Sequence, residues 1–124
     1  MLIKERRKYM RISTTLEAEY WAKGPSMIAG HAQVRDFSRE GLGAIFPKPV
    51  ECGEHVDLTF RVPGDNVPIF ATGEVAWAQL EKDRAVGIDA GLRLTAIKPL
   101  DLARLLDYVY SQWLGGTEKN FGRA

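Results

Sequence analysis

Hydrophobic and polar residues alternate with period two along most of the chain. From Ser13 to Lys23, Leu16, Ala18, Tyr20 and Ala22 fall on one face and Glu17, Glu19 and Trp21 on the other, as in a strand with one buried side. Met27 to Asp36 repeats the pattern with Ile28, Ala32 and Val34 on one face. Leu42 to Phe46 predicts a third, short strand, in which Gly43 signals a close approach of backbone. His55 to Val62 places Val56, Leu58, Phe60 and Val62 inward and Asp57, Thr59 and Arg61 outward. Val67 to Gln79 carries Ile69, Ala71, Val75 and Trp77 on one face, and Ala85 to Thr95 carries Val86, Ile88, Ala90, Leu92 and Leu94. Gly24-Pro25-Ser26, Pro47-Lys48-Pro49, Glu51-Cys52-Gly53-Glu54, Pro63-Gly64-Asp65-Asn66 and the charged Glu81-Lys82-Asp83-Arg84 separate these runs as turns and loops.

At Pro99 the period changes. Leu102, Leu105, Leu106, Val109, Tyr110 and Trp113 follow the spacing of an amphipathic helix. Pro99 suits a first helical turn and Asp101 its positive end. Gly115-Gly116 is expected to stop the helix, leaving a polar tail. Six strands without βαβ alternation predict a mainly β, antiparallel sheet, packed as a sandwich or closed into a barrel that removes its edges. The helix has an apolar stripe to cover, either on its own domain or on a second protomer, so a homodimer is one arrangement it allows.

Composition narrows the function classes. A chain of 124 residues favours one domain. The formal net charge of +1 provides no global basic field for nucleic-acid binding. One cysteine, Cys52, precludes an intrachain disulfide and is compatible with a reducing cytoplasm. No run is long and apolar enough to span a membrane. The histidines, His31 and His55, belong to no zinc-type ligand spacing, so neither a metal nor a cofactor is expected. Cys52 lies between glutamates, which oppose thiolate formation, and no phosphate loop or dinucleotide fingerprint is present. Nothing here points to an enzyme. Trp77 and Trp113 sit among apolar neighbours in the pattern, and core packing is expected for both.

Two stretches stand apart. Lys4 to Arg11 holds five basic residues and one acid, with Arg6, Arg7 and Arg11 among them. Arginine bonds bidentately to phosphate and to the O6/N7 edge of guanine, and its flat guanidinium stacks on a base. One hairpin later, Asp36-Phe37-Ser38-Arg39-Glu40-Gly41 forms a bend between strands. The Asp36 carboxylate can accept from guanine N1 and N2, Ser38 can bond a base edge or phosphate or hold the bend, and Gly41 leaves room. The pair suits an anionic, guanine-bearing ligand.

Arg-x-x-x-Arg at Arg7 and Arg11, followed by Asp-x-Ser-x-x-Gly at Asp36, Ser38 and Gly41, resembles the PilZ domain, the bacterial receptor family for cyclic di-GMP. Gly41-Leu42-Gly43, Gly73-Glu74-Val75-Ala76-Trp77, Val86-Gly87-Ile88 and the C-terminal helix agree with it. The resemblance implies a six-stranded antiparallel β-barrel with one C-terminal helix. It divides the chain into a basic arm (1–12), barrel plus helix (13–114) and polar tail (115–124). It further implies a cytoplasmic receptor, without catalysis, that binds cyclic di-GMP through Arg6, Arg7, Arg11, Asp36, Ser38 and Gly41 and signals through a protein partner. Arg6 stands at the family position that bears on stoichiometry, and an arginine there favours two stacked ligands per protomer. The alternative is a protein-interaction module of this family that binds no nucleotide. One departure is visible: the family often carries an aromatic soon after the Gly-Ile pair, where this chain has Ala90 and Gly91.

Overall fold

A computed structural model describes residues 11–23, 27–80 and 87–122. Six strands, β1 (Ile12–Lys23), β2 (Met27–Phe37), β3 (Gly41–Phe46), β4 (His55–Phe60), β5 (Ile69–Leu80) and β6 (Ile88–Ile97), precede one helix, α1 (Pro99–Gly122). The strands close into a barrel in the order β1-β2-β3-β6-β5-β4, and every pairing is antiparallel. Closure settles the choice left open by the alternation: a barrel rather than a sandwich.

The inward positions are those that period two selects. Leu16, Ala18, Tyr20 and Ala22 of β1, Val56, Leu58 and Phe60 of β4, and Ala90 and Leu92 of β6 are buried. Tyr20 meets Phe46 edge to face with ring centroids 4.8 Å apart, and Phe37 meets Phe60 at 6.2 Å. Offset and edge-on contacts of this kind suit the aromatic quadrupole.

Alternation breaks at bulges. Between β2 and β3 the register steps from Val34↔Ala44 to Asp36↔Gly43, so Arg35 is an extra residue. Between β5 and β6 it steps from Val75↔Leu92 to Trp77↔Gly91, so Ala76 is extra. The second bulge corrects the expectation for Trp77. An inserted residue inverts the phase of a strand, and the indole faces outward, 41% exposed, rather than into the core.

α1 packs against β1 and β5. Leu105, Leu106 and Val109 are buried, while Tyr110 and Trp113 are about half exposed, so the apolar stripe docks through its middle and Trp113 is not a core residue. Gln112 secures the helix to the irregular start of β1. Its amide oxygen accepts from the Thr15 N–H (3.1 Å) and the Thr14 hydroxyl, and its amide nitrogen donates to the Thr15 carbonyl (3.0 Å). Arg104 ties α1 to the β4–β5 loop through Asp65 (2.7 Å) and the Val67 carbonyl (2.6 Å), and Asp101 one turn back on the helix also accepts from it (2.9 Å). The Val67 N–H, with Arg104 second, holds the Asp65 carboxyl below its usual range.

The expected stop at Gly115-Gly116 does not occur, since α1 continues to Gly122. Among the described residues only Gly53 and Gly64, both in turns, take a positive φ. Glycine inside a helix costs about 1 kcal/mol against alanine; without a left-handed C-cap it weakens the helix and does not end it. The turn expected at 24–26, the charged loop at 81–84 and the strand residues Ala85 and Val86 lie outside the described residues.

Candidate functional site

Asp36 sits near the end of β2 with its carboxylate on the outer barrel surface. Oδ1 accepts two N–H groups, from the Gly43 backbone at 3.0 Å and from Arg11 Nη1 at 3.1 Å. Oδ2 has no partner among the described residues. Gly43 makes this seat possible, because a Cβ there would lie 2.7 Å from Oδ2 and 3.1 Å from Oδ1. The close approach expected at Gly43 is thus an approach of the Asp36 carboxylate. The Arg11–Asp36 pair is partly shielded, with side chains 16% and 28% exposed.

Ser38 and Gly41 build the bend. Ser38 is buried; its hydroxyl donates to the Gly41 carbonyl and accepts from the Glu40 and Gly41 N–H groups, each at 3.3 Å. The Ser38 N–H adds a bond to the Gly41 carbonyl at 2.9 Å. Local side-chain bonds of this kind fix a short turn. Gly41 is required for a different reason from the room expected of it: a Cβ would lie 2.3 Å from the Leu92 carbonyl oxygen across the β3–β6 ladder. Its absence admits the neighbouring strand, and the Arg11 guanidinium also lies close, with Nη2 3.4 Å from the same point.

Register extends the site sideways. Ser13 pairs with Asp36, Asp36 with Gly43, Gly43 with Gly91 and Gly91 with Trp77. These residues form one outward row across five strands, with two glycines in the middle. The Trp77 indole lies on the Gly91 backbone, where a Cβ would be 2.2 Å from Nε1. One outward position along β6, Asp89 pairs with Arg35, the bulge residue of β2, whose guanidinium reaches over β3 to meet it. The surface therefore has a low glycine floor, a carboxylate and arginine on one side, an aromatic ring on the other and a second guanidinium along its edge.

The sequence motifs thus converge in part. Arg11, Asp36, Ser38 and Gly41 are brought together, whereas Arg6 and Arg7 lie outside the described residues. Reading the sequence missed Arg35, Asp89, Gly91 and Trp77 as neighbours of the site. The signal available was Gly91 itself, a glycine inside a strand. A separate depression of about 660 Å³, bordered by Trp21, Asp57, Phe70 and Thr72, lies over β4 and β5 and includes none of the motif residues. His31 is exposed beside Glu17 (3.2 Å), and the described residues contain no group of three or more His, Cys, Asp or Glu placed to hold a metal.

The PilZ domain family model matches residues 5–111. The chain belongs to the PilZ family. Solved structures share this fold at low identity. A PilZ domain of YcgR from Escherichia coli, solved with cyclic di-GMP, is 17% identical with a TM-score of 0.70, covering 94% of this chain and 98% of that one. The Bacillus subtilis inhibitor of motility MotI/DgrA is 19% identical with a TM-score of 0.70, covering 90% of this chain and 53% of that one. A longer YcgR chain from Escherichia coli in complex with cyclic di-GMP is 17% identical with a TM-score of 0.67, covering 97% and 51%. This chain thus spans about half the length of the last two. No curated protein matches it. As a PilZ domain the chain shows the family's barrel with the bend on its outer wall. No helix of the described residues is long and apolar enough to cross a membrane.

Proposed function

We propose that this PilZ domain is a non-catalytic receptor for cyclic di-GMP that changes conformation on binding and acts through a protein partner. One observation carries the reading. The Arg11 guanidinium meets the Asp36 carboxylate, so the last arginine of the N-terminal motif and the acid of the bend share one surface point. An anionic guanine nucleotide needs both kinds of group there, guanidinium for phosphate and O6/N7, carboxylate for N1 and N2. The Oδ2 of Asp36, without a partner among the described residues, is the oxygen assigned to guanine. Arg7 and Arg11 hold phosphate and base. Ser38 and Gly41 act by fixing the bend, since the Ser38 hydroxyl is occupied there. Arg6 stacks on a base and selects two ligands per protomer. The ligand assignment draws support from the YcgR structures with cyclic di-GMP, which share the fold.

Titration calorimetry of the whole chain with cyclic di-GMP, with the linear guanine dinucleotide as control, tests this. Saturable binding of the cyclic ligand is expected, with a stoichiometry near two. Its absence at ligand concentrations of about 50 μM, which would place Kd well above that concentration, leaves the protein-interaction module that binds no nucleotide.

A further inference from the structure

The Arg35–Asp89 pair is used neither by the barrel core nor by the motif residues. Arg35 is the inserted residue of the β2 bulge, and bulges often re-aim a side chain beside a functional site. Its guanidinium crosses β3 and donates through Nη2 to Asp89 Oδ1. The Asp89 side chain is only 13% exposed, whereas that of Arg35 is 39% exposed. A shielded carboxylate therefore pins an accessible cation. Nη1 has no partner among the described residues, and Nε is buried without one. The fork is held by one prong, and the capacity in reserve is that of Nη1, since the buried Nε is closed to a ligand.

Its placement says what it can read. Asp89 and Gly91 are successive outward residues of β6, about 7 Å apart at strand spacing, and Trp77 covers Gly91. A planar base resting on the exposed part of the Trp77 indole would lie one outward position from the Arg35–Asp89 pair along β6. A fixed, flat guanidinium beside an aromatic platform suits a purine with two adjacent acceptors, which guanine has at O6 and N7 and adenine has not. We infer that Arg35, positioned by Asp89, contacts the O6/N7 edge of a guanine bound on the Gly43–Gly91–Trp77 surface, and so helps to set base specificity. This rests on the cyclic di-GMP reading above and adds to that reading a contact outside the two motifs.

The test compares cyclic di-GMP with its 7-deaza analogue, which lacks the N7 acceptor, by calorimetry on the wild-type chain and on Arg35→Ala, Arg35→Lys and Asp89→Asn. The wild type should prefer the natural ligand at least about tenfold, the lower range for a bidentate base contact. Arg35→Ala should narrow the preference to what Arg7 and Arg11 contribute at O6/N7. Arg35→Lys keeps the charge, is the safer variant for folding beside Asp89, and should narrow the preference likewise while keeping more affinity. Asp89→Asn should narrow the preference, as expected of a positioning residue. A thermal melt of each variant reports its fold. A preference that is undiminished in both Arg35→Ala and Arg35→Lys overturns the inference, as does a wild type that binds both ligands alike. A wild type that binds neither overturns the receptor reading as well, and that failure is visible before any variant is made.

Discussion

Gly91→Ala tests the surface on which the site is built. The new Cβ would stand 2.2 Å from Trp77 Nε1, 2.6 Å from Cε2 and 3.0 Å from Cδ1, so the indole must leave its seat. Trp77 is 41% exposed, so somewhat more than half of it is covered. For an aromatic of this size that is about 140 Å², or about 3.5 kcal/mol at ~25 cal/mol per Å² if all cover were lost. The ring can re-settle nearby, which halves the loss to about 1.8 kcal/mol. Gly91 has no positive φ, so alanine fits the backbone and recovers about 0.5 kcal/mol by restricting the unfolded chain. The net expectation is about 1.3 kcal/mol of destabilisation, a fall of about 5 °C in Tm for a chain of this length. Calorimetry or circular dichroism gives Tm, and near-ultraviolet dichroism reports the indole's surroundings. The decisive assay is the double-mutant cycle: in a Trp77→Ala background, Gly91→Ala should be neutral or stabilising by about 0.5 kcal/mol. Equal destabilisation in both backgrounds would show that Gly91 serves the strand alone and that the ring does not lie over it.

Other expectations follow from single contacts. Arg11→Ala should lower cyclic di-GMP affinity at least about a hundredfold by calorimetry, since a charge-assisted hydrogen-bond pair contributes a few kcal/mol; its effect on the apo melt should stay within about 1 kcal/mol, because the Asp36 pair is only partly shielded. A larger apo loss would make Arg11 structural. Leu105→Ala, at a fully buried position under α1, should cost about 3 kcal/mol by urea unfolding, and a loss below about 1 kcal/mol would mean the helix is not firmly docked. The lowered Asp65 carboxyl contributes stability that is present above its ordinary value of 3.8 and lost as pH falls through the depressed one. Asp65→Asn should therefore flatten the acid limb of Tm against pH, and an unchanged limb would remove Asp65 from the acid response.

The barrel was legible because alternation names its inner face directly. Tyr20, Leu58 and Leu92 are buried where period two puts them. The choice between barrel and sandwich was not legible from alternation, since it depends on β1 meeting β4, a pairing that no local signal encodes. The helix was legible at its start and not at its end: Gly115-Gly116 has the composition of a C-cap, but a cap requires the left-handed backbone that neither residue adopts. Of the candidate site, residue type and spacing pointed to Arg11 and Asp36, which touch. Ser38 and Gly41 were legible as bend residues, while their contacts were not. The hydroxyl satisfies the turn, and Gly41 makes way for the Leu92 carbonyl, both consequences of how β3 lies on β6.

Two of the barrel's register shifts frame the candidate site. Ala32 and Val34 face inward, and strict period two would turn Asp36 inward after them, burying a carboxylate in an apolar core at a cost of several kcal/mol. The inserted Arg35 inverts the phase, so Phe37 enters the core and Asp36 emerges. On the other side, Val75 faces inward, Trp77 would follow it, and the inserted Ala76 turns the indole out. The two bulges lie on strands separated by β3 and β6. Because β3 and β6 keep regular register between them, the inverted residues come out in one row, across Gly43 and Gly91. Neither bulge alone would produce a surface with a carboxylate at one end and an aromatic ring at the other. Each relinquishes a regular ladder pairing, and Arg35 places a charged side chain over a neighbouring strand. Trp77 turned outward leaves the core and packs instead on the Gly91 backbone, so the bulge exchanges an inner contact for an outer one at the end of this row.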